Sequence, residues 1–139
     1  MDRKQAGQIA ELLNTRNQLT KLYNANRILK SADDYEFLLD DNEKVIAAVM
    51  IKKVQWYQWE ICHLSVSEAF ERQGFGTKLI NKAEIKAKKG GARIIQCTIR
   101  ENNIPSKAIF GKSGFRHVAT FYYPLSRNNV EVWQKVISC

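Results

Sequence analysis

The most constraining feature of this chain is a glycine-bearing junction, Glu71-Arg72-Gln73-Gly74-Phe75-Gly76-Thr77, at which the hydrophobic pattern changes period. Before it, residues 56–66 are rich in aromatic and β-branched side chains, the composition of a strand. After it, Leu79, Ile80, Ala83 and Ala87 share one face of a helix over 76–89, and Lys78, Lys82, Lys86 and Lys89 share the other. Gly90-Gly91 stops that helix, and residues 93–99 form an apolar-leaning strand. Strand, helix, strand in this order predicts a right-handed crossover and a parallel strand pair.

The rest of the chain fits around that unit. Ile9, Leu12 and Leu13, then Leu19, Leu22 and Tyr23, fall near helical spacing. Residues 35–39 and 45–53 read as a hairpin about the turn Asp40-Asp41-Asn42-Glu43. Residues 103–112 read as a second helix, ended by Ser113-Gly114, and 117–123 and 130–137 as two last strands around a turn. The expected fold is α/β: a mixed, mostly antiparallel sheet with a central parallel pair, flanked by helices, in one domain over 1–139. No apolar run approaches the roughly 20 residues of a membrane span. The first 14 residues lack the apolar stretch of a secretory signal. Cys62, Cys97 and Cys139 are not spaced as metal ligands. Free thiols in a reducing cytoplasm are the expectation, with no metal.

Charge is unevenly placed on a chain of net +8. From Arg72 to Arg116 there are 11 Lys or Arg against two acids, whereas residues 31–43 hold six acids and no base. A basic segment suits a polyanion, either nucleic acid or a phosphorylated cofactor. An acidic one suits a cationic partner or is solvated surface. The junction favours the cofactor. A helix start leaves backbone N–H groups without partners and carries partial positive charge, and glycine lets a phosphate approach. On this segment alone, a plain strand-to-helix turn that needs glycines reads the same way. A dinucleotide-binding loop needs another glycine spacing and an acid on the next strand, and no Gly-Lys-Ser/Thr follows to make a Walker loop.

Two motifs, in order and on the expected elements, resemble the GNAT acetyltransferase superfamily. The first is (Gln/Arg)-x-x-Gly-x-(Gly/Ala), matched at residues 71–76 except that Glu71 stands at its first position. The second is Asn103, Ser106, Phe110 and Gly114-Phe115 at matching spacing, with Phe110 where many members carry tyrosine. The resemblance extends over roughly residues 45–123. It implies acetyl-CoA as co-substrate. Backbone groups of Leu64 and Val66 would meet the pantetheine arm. Arg72, Gln73, Gly74, Phe75, Gly76 and Thr77 would hold the pyrophosphate, and Asn103, Ser106 and Phe110 would lie toward the thiol end.

Acetyl transfer to an amine needs a base, because an alkyl ammonium has a pKa near 10.4. It also needs donors for an oxyanion. Glu60, on the strand entering the junction, is the first choice of base; its spacing from the loop resembles that of the catalytic glutamate in histone-type members. His63 is a second choice and Glu101 a third. Phe110 cannot donate a proton to the leaving sulfur, so Tyr122 or Tyr123 would have to. A thiol with a pKa near 8.5 can also leave unaided. Strand alternation puts Cys62 and His63 on opposite faces, which argues against an acetyl-cysteine intermediate.

The sequence thus predicts direct N-acetyl transfer from acetyl-CoA to an amine, for which residues 33–43 favour a cationic acceptor. The alternative is a catalytically silent acyl-CoA-binding regulatory domain. No nucleic-acid-binding motif or membrane segment is present, and the oligomeric state is open, a homodimer included.

Overall fold

A computed structural model describes residues 1–17, 19 and 21–137. Its elements are α1 (Arg3–Arg16), α2 (Ala25–Lys30), β1 (Tyr35–Leu39), β2 (Val45–Lys53), β3 (Gln58–Val66), α3 (Phe75–Lys89), β4 (Ile94–Arg100), α4 (Ile104–Lys112), β5 (Arg116–Tyr123) and β6 (Asn128–Val136). Six strands form one sheet in the order β1-β2-β3-β4-β6-β5. Among the described residues only β3 and β4 pair in parallel.

Side-chain caps start α1, α2 and α4. Asp2 and Gln5 make a reciprocal capping box that starts α1. Asn24 caps α2 and Asn103 caps α4, each accepting a backbone N–H three residues on. The apolar stripe of α3 (Leu79, Ile80, Ala83, Ala87) is fully buried against Val49, Ile51, Ile61 and Ile95, and Phe110 of α4 joins the same core. On the other face, Ile9 and Leu13 of α1 and Ile28 of α2 pack with Tyr35, Val45 and Ala48. The sheet therefore separates an α3–α4 face from an α1–α2 face.

The expected strands and the two later helices are present, with ends moved by one or two residues. The early helix differs. Helical spacing continues through Leu19, Leu22 and Tyr23, yet α1 stops at Arg16. Asn17 is the C-cap, its Nδ2 bonded to the Leu13 carbonyl, and Leu22 is exposed. An asparagine side chain that competes for backbone carbonyls ends the helix where apolar spacing alone would continue it. Gly90 is required by packing: a Cβ there would stand 2.3 Å from the Trp59 ring. Among the described residues no helix is long and apolar enough to cross a membrane, and no group of His, Cys, Asp and Glu is placed to hold a metal. Cys97 is buried and Cys62 half-buried, both free; Cys139 lies outside the described residues.

Candidate active site

The parallel pairing is short. Gln58, Trp59 and Glu60 pair with Ile94, Ile95 and Gln96, and there the ladder ends. Beyond it β3 continues to Val66 against β2, while β4 continues to Arg100 against β6. The two strands part at Glu60. Between them the backbone edges of Leu64 and Val66 lack a strand partner, which is the edge an extended amide-bearing chain can pair with.

β3 runs on toward the junction. Gly74 adopts a left-handed conformation (φ 84°) and offers no side chain to cap α3. The first helical bond there runs from the Lys78 N–H to the Gly74 carbonyl, so the N–H groups of Phe75, Gly76 and Thr77 precede it. An uncapped helix start of this kind fits a pyrophosphate. Arg72 also has positive φ (62°), a rarity for a residue with a Cβ. Glu71, where the family pattern has Gln or Arg, pairs with Arg16 of α1. A Cβ at Gly76 would meet Ile109 and Leu64 at 3.6 and 3.9 Å, ordinary contact distances, so packing leaves room for alanine there but not for a large side chain.

On the other side of the fork, β3 carries a bulge. Ala48 pairs with Ser65 and Met50 with Cys62, so β3 spends one residue more than β2. His63 sits in it with φ 53°. Ile61, Leu64 and Val66 all join the α3–α4 core, so Cys62 and His63 both turn to the α1–α2 face. This corrects the opposite-face expectation, which assumed an unbroken alternation. The two residues share a face, yet the Cys62 thiol is pushed up to about 11 by burial and by Glu60, so it is protonated at neutral pH and a poor nucleophile.

The bulge is held from α1. Asn17 Nδ2 donates to Ser65 Oγ at 2.8 Å, and Ser65 Oγ donates to the His63 carbonyl at 2.9 Å. Asn14 binds both the N–H and the carbonyl of Tyr23, which fixes that residue beside His63. The two rings meet edge to face, 5.7 Å between centroids, and the Arg27 guanidinium lies 4.0 Å over the Tyr23 ring. Burial, with Lys52 and Arg27 nearby, lowers the pKa of His63, so its imidazole is neutral at pH 7.

Glu60, His63, Leu64 and Val66 thus lie on one strand, β3, and residues 72–77 follow it into the start of α3. Other candidates lie apart. Tyr122 is exposed on β5, the far edge strand, three strands from β3 and so roughly 14 Å away across the sheet. Asn103 spends its carboxamide oxygen capping α4, on the Ser106 N–H. Phe110 is buried against Phe115, 5.1 Å between rings. Asn14, Asn17, Tyr23 and Arg27 carry no motif. The only local signal was the run of asparagines at Asn14, Asn17 and Asn24, a composition that caps and ends helices.

Comparison with known proteins gives the family and bears out the fold. The model of the acetyltransferase (GNAT) family matches residues 8–115. The uncharacterized N-acetyltransferase YvbK of Bacillus subtilis (strain 168) is 31% identical over 81 residues, 58% of this chain; the match spans about half of that protein (52%). Ard1 from Thermoplasma volcanium superposes with a TM-score of 0.82 at 19% identity, covering 99% of this chain and 94% of its own. A GNAT family acetyltransferase from Elizabethkingia anophelis with acetyl-CoA bound gives 0.74 at 16% identity, covering 91% and 88%. The motif match, the forked sheet and the family model together place the chain in the GNAT acetyltransferase family.

Proposed function

We propose that this protein transfers the acetyl group of acetyl-CoA to a primary amine by direct attack within a ternary complex. The observation that carries the reading is the end of the β3–β4 ladder at Glu60. There β3 bears a half-buried carboxylate, and the same strand runs on toward the uncapped start of α3, which supports the reading. The co-substrate supplies an activated acyl thioester. Residues 72–77 hold its phosphates, and the free edges of Leu64 and Val66 align its arm.

Glu60, directly or through one water, takes a proton from the amine. The amine nitrogen then bonds to the acyl carbon, the carbon–sulfur bond breaks, and the sulfur leaves as thiolate. A backbone N–H near Leu64 supports the oxyanion. Tyr122 is too distant to serve as acid here, and the intrinsic acidity of a thiol makes one dispensable. The two free thiols suit a reducing cytoplasm, which we propose as its location.

Glu60→Gln tests this. The variant should lose about 10²–10⁴-fold in kcat/KM, the usual contribution of a positioned base, while acetyl-CoA binding persists. The rising limb of the wild-type pH profile should shift or vanish in it. A near-normal rate with an unchanged profile would remove Glu60 and send the test to His63→Ala.

One observation favours a second reading: Phe110 is buried where a proton-donating tyrosine is common in the family. In that reading the domain binds acyl-CoA and regulates without turnover. Acetyl-CoA binding with no acetylated product from a broad amine panel would support it.

A further inference from the structure

Two basic side chains, Lys52 and Arg27, stand beside His63. Lys52 is the cross-strand partner of Glu60, and Arg27 lies over Tyr23, which in turn packs on His63. Three separate elements, α2, β2 and β3, bring these groups together. Among the described residues neither Arg27 nor Lys52 makes an ion pair. The wall also holds an unmatched donor. Among the described residues the Tyr35 hydroxyl, on a side chain 5% exposed, has no hydrogen-bond partner, and Tyr23, Arg27 and Cys62 are among the groups that act on it.

Part of the acidic run is engaged elsewhere. Asp40 closes the β1–β2 turn by accepting the N–H groups of Asn42 and Lys44. Lys86 of α3 donates to the Asp33 carbonyl, and Glu36 shares a shallow groove with Lys82, Lys86 and Lys89 on that helix. Of the run, Asp34 acts on Tyr35. A cationic acceptor, here a diamine, is therefore one outcome of the test below.

We infer that the acceptor is a small amine that also bears an anionic group, a carboxylate or a phosphate, which Lys52 and Arg27 bind while the amine meets Glu60. The inference rests on the transfer reading and names its substrate class. Directly paired residues on antiparallel strands lie about 5 Å apart, so Lys52 suits an anion one or two bonds from the amine. His63 is three residues from Glu60, about 10 Å along the strand, so Arg27 beside it suits a more distant anion. α-Amino acids and their side-chain carboxylates span that range.

The test pairs each anionic amine with a neutral counterpart: free amino acids against their amides, and phosphoethanolamine against ethanolamine. Binding to the CoA-loaded protein is measured by calorimetry and transfer by kcat/KM. The anionic member should be favoured roughly 10- to 100-fold, the scale of one or two charge-assisted hydrogen bonds. Whichever pair shows the preference tells carboxylate from phosphate. In Arg27→Gln or Lys52→Gln the ratio should fall toward one, and Arg27→Lys should keep part of it. Equal affinity for both members, preference for a diamine, or no binding of any anionic amine at millimolar concentration overturns the inference. Selective binding without transfer leaves it standing and rejects the transfer reading instead.

Discussion

The two ends of the opening are built by different means. The proposed phosphate end is local: seven consecutive residues, two glycines and a helix start produce it. The proposed acceptor end is assembled from α1, α2, β2 and β3 through side-chain bonds between residues 48 and nine positions apart, Asn17 to Ser65 and Asn14 to Tyr23. The comparison teaches that a backbone site is robust to side-chain change but intolerant of lost glycine conformations. A side-chain site is the reverse, since each of its members can change without moving the fold. The Arg16–Glu71 pair joins the two ends; half exposed on both sides, it contributes little to stability.

The largest contrast is expected at Gly74. Its left-handed backbone costs a residue with a Cβ about 1–2 kcal/mol. Gly74→Val should also abolish the stabilisation that acetyl-CoA gives the wild type, roughly 2.7 kcal/mol at 100 times its dissociation constant. Thermal melts with and without the co-substrate read both. A Gly74→Val protein with a full shift would show that the loop backbone does not hold the phosphates. Gly76 sharpens the point. Alanine there meets only ordinary contacts at 3.6 and 3.9 Å, so Gly76→Ala should melt and bind like wild type. Gly76→Leu should lose about 1–3 kcal/mol by overpacking the α3–α4 core.

The same division governs what was legible in the sequence. Strand, junction and helix were readable because composition and period change within a few residues, and the helix face over Leu79–Ala87 is buried as its spacing required. The bulge at His63 was not. One extra residue in β3 is defined only by its pairing to β2, and no residue in Glu60-Ile61-Cys62-His63 announces it. Missing it reversed the predicted facing of His63. The end of α1 was hidden for a related reason: apolar spacing continued while Asn17 closed the helix. Tyr122 was a fair choice by residue type and a poor one by place, because strand order puts β6 between β4 and β5. The side-chain site escaped altogether, as Tyr23 and Arg27 reach Glu60's strand only through tertiary packing.

A smaller effect is expected at Asn17, which ties the bulge to α1. Asn17→Ala removes one bond to a hydroxyl that is 2% exposed and a second to the end of its own helix. Stability should fall by about 1–2 kcal/mol, the cost of leaving buried polar groups unpaired. Because His63 and Glu60 share the strand, kcat should fall as well, while the acetyl-CoA melt shift stays intact. If the shift falls with kcat, the two ends of the opening are not separable and the comparison fails.

The smallest effect is a pH dependence, and its sign follows from His63. Burial, Lys52 and Arg27 together disfavour the imidazolium, so the folded pKa lies below the ordinary value of about 6.5. As pH falls through that value, the unfolded chain takes up a proton that the folded protein refuses. The unfolded state is then favoured, and stability declines below about pH 6.5. Glu131 acts in a lower window. Its hydrogen bond to Lys107 holds the carboxyl below its ordinary range near 4.5, so its contribution is present above that pH and lost beneath it. Melting temperature followed from pH 7 to pH 5 therefore isolates the histidine. His63→Asn should give a flatter curve over that interval and rejoin the wild-type slope near pH 4.5. An anionic acceptor held beside the ring should partly restore its pKa, which imidazole chemical shifts read directly. Parallel curves for the two proteins would mean that His63 titrates as in the unfolded chain, and the basic character assigned to the acceptor end would lose its only pH-dependent reporter.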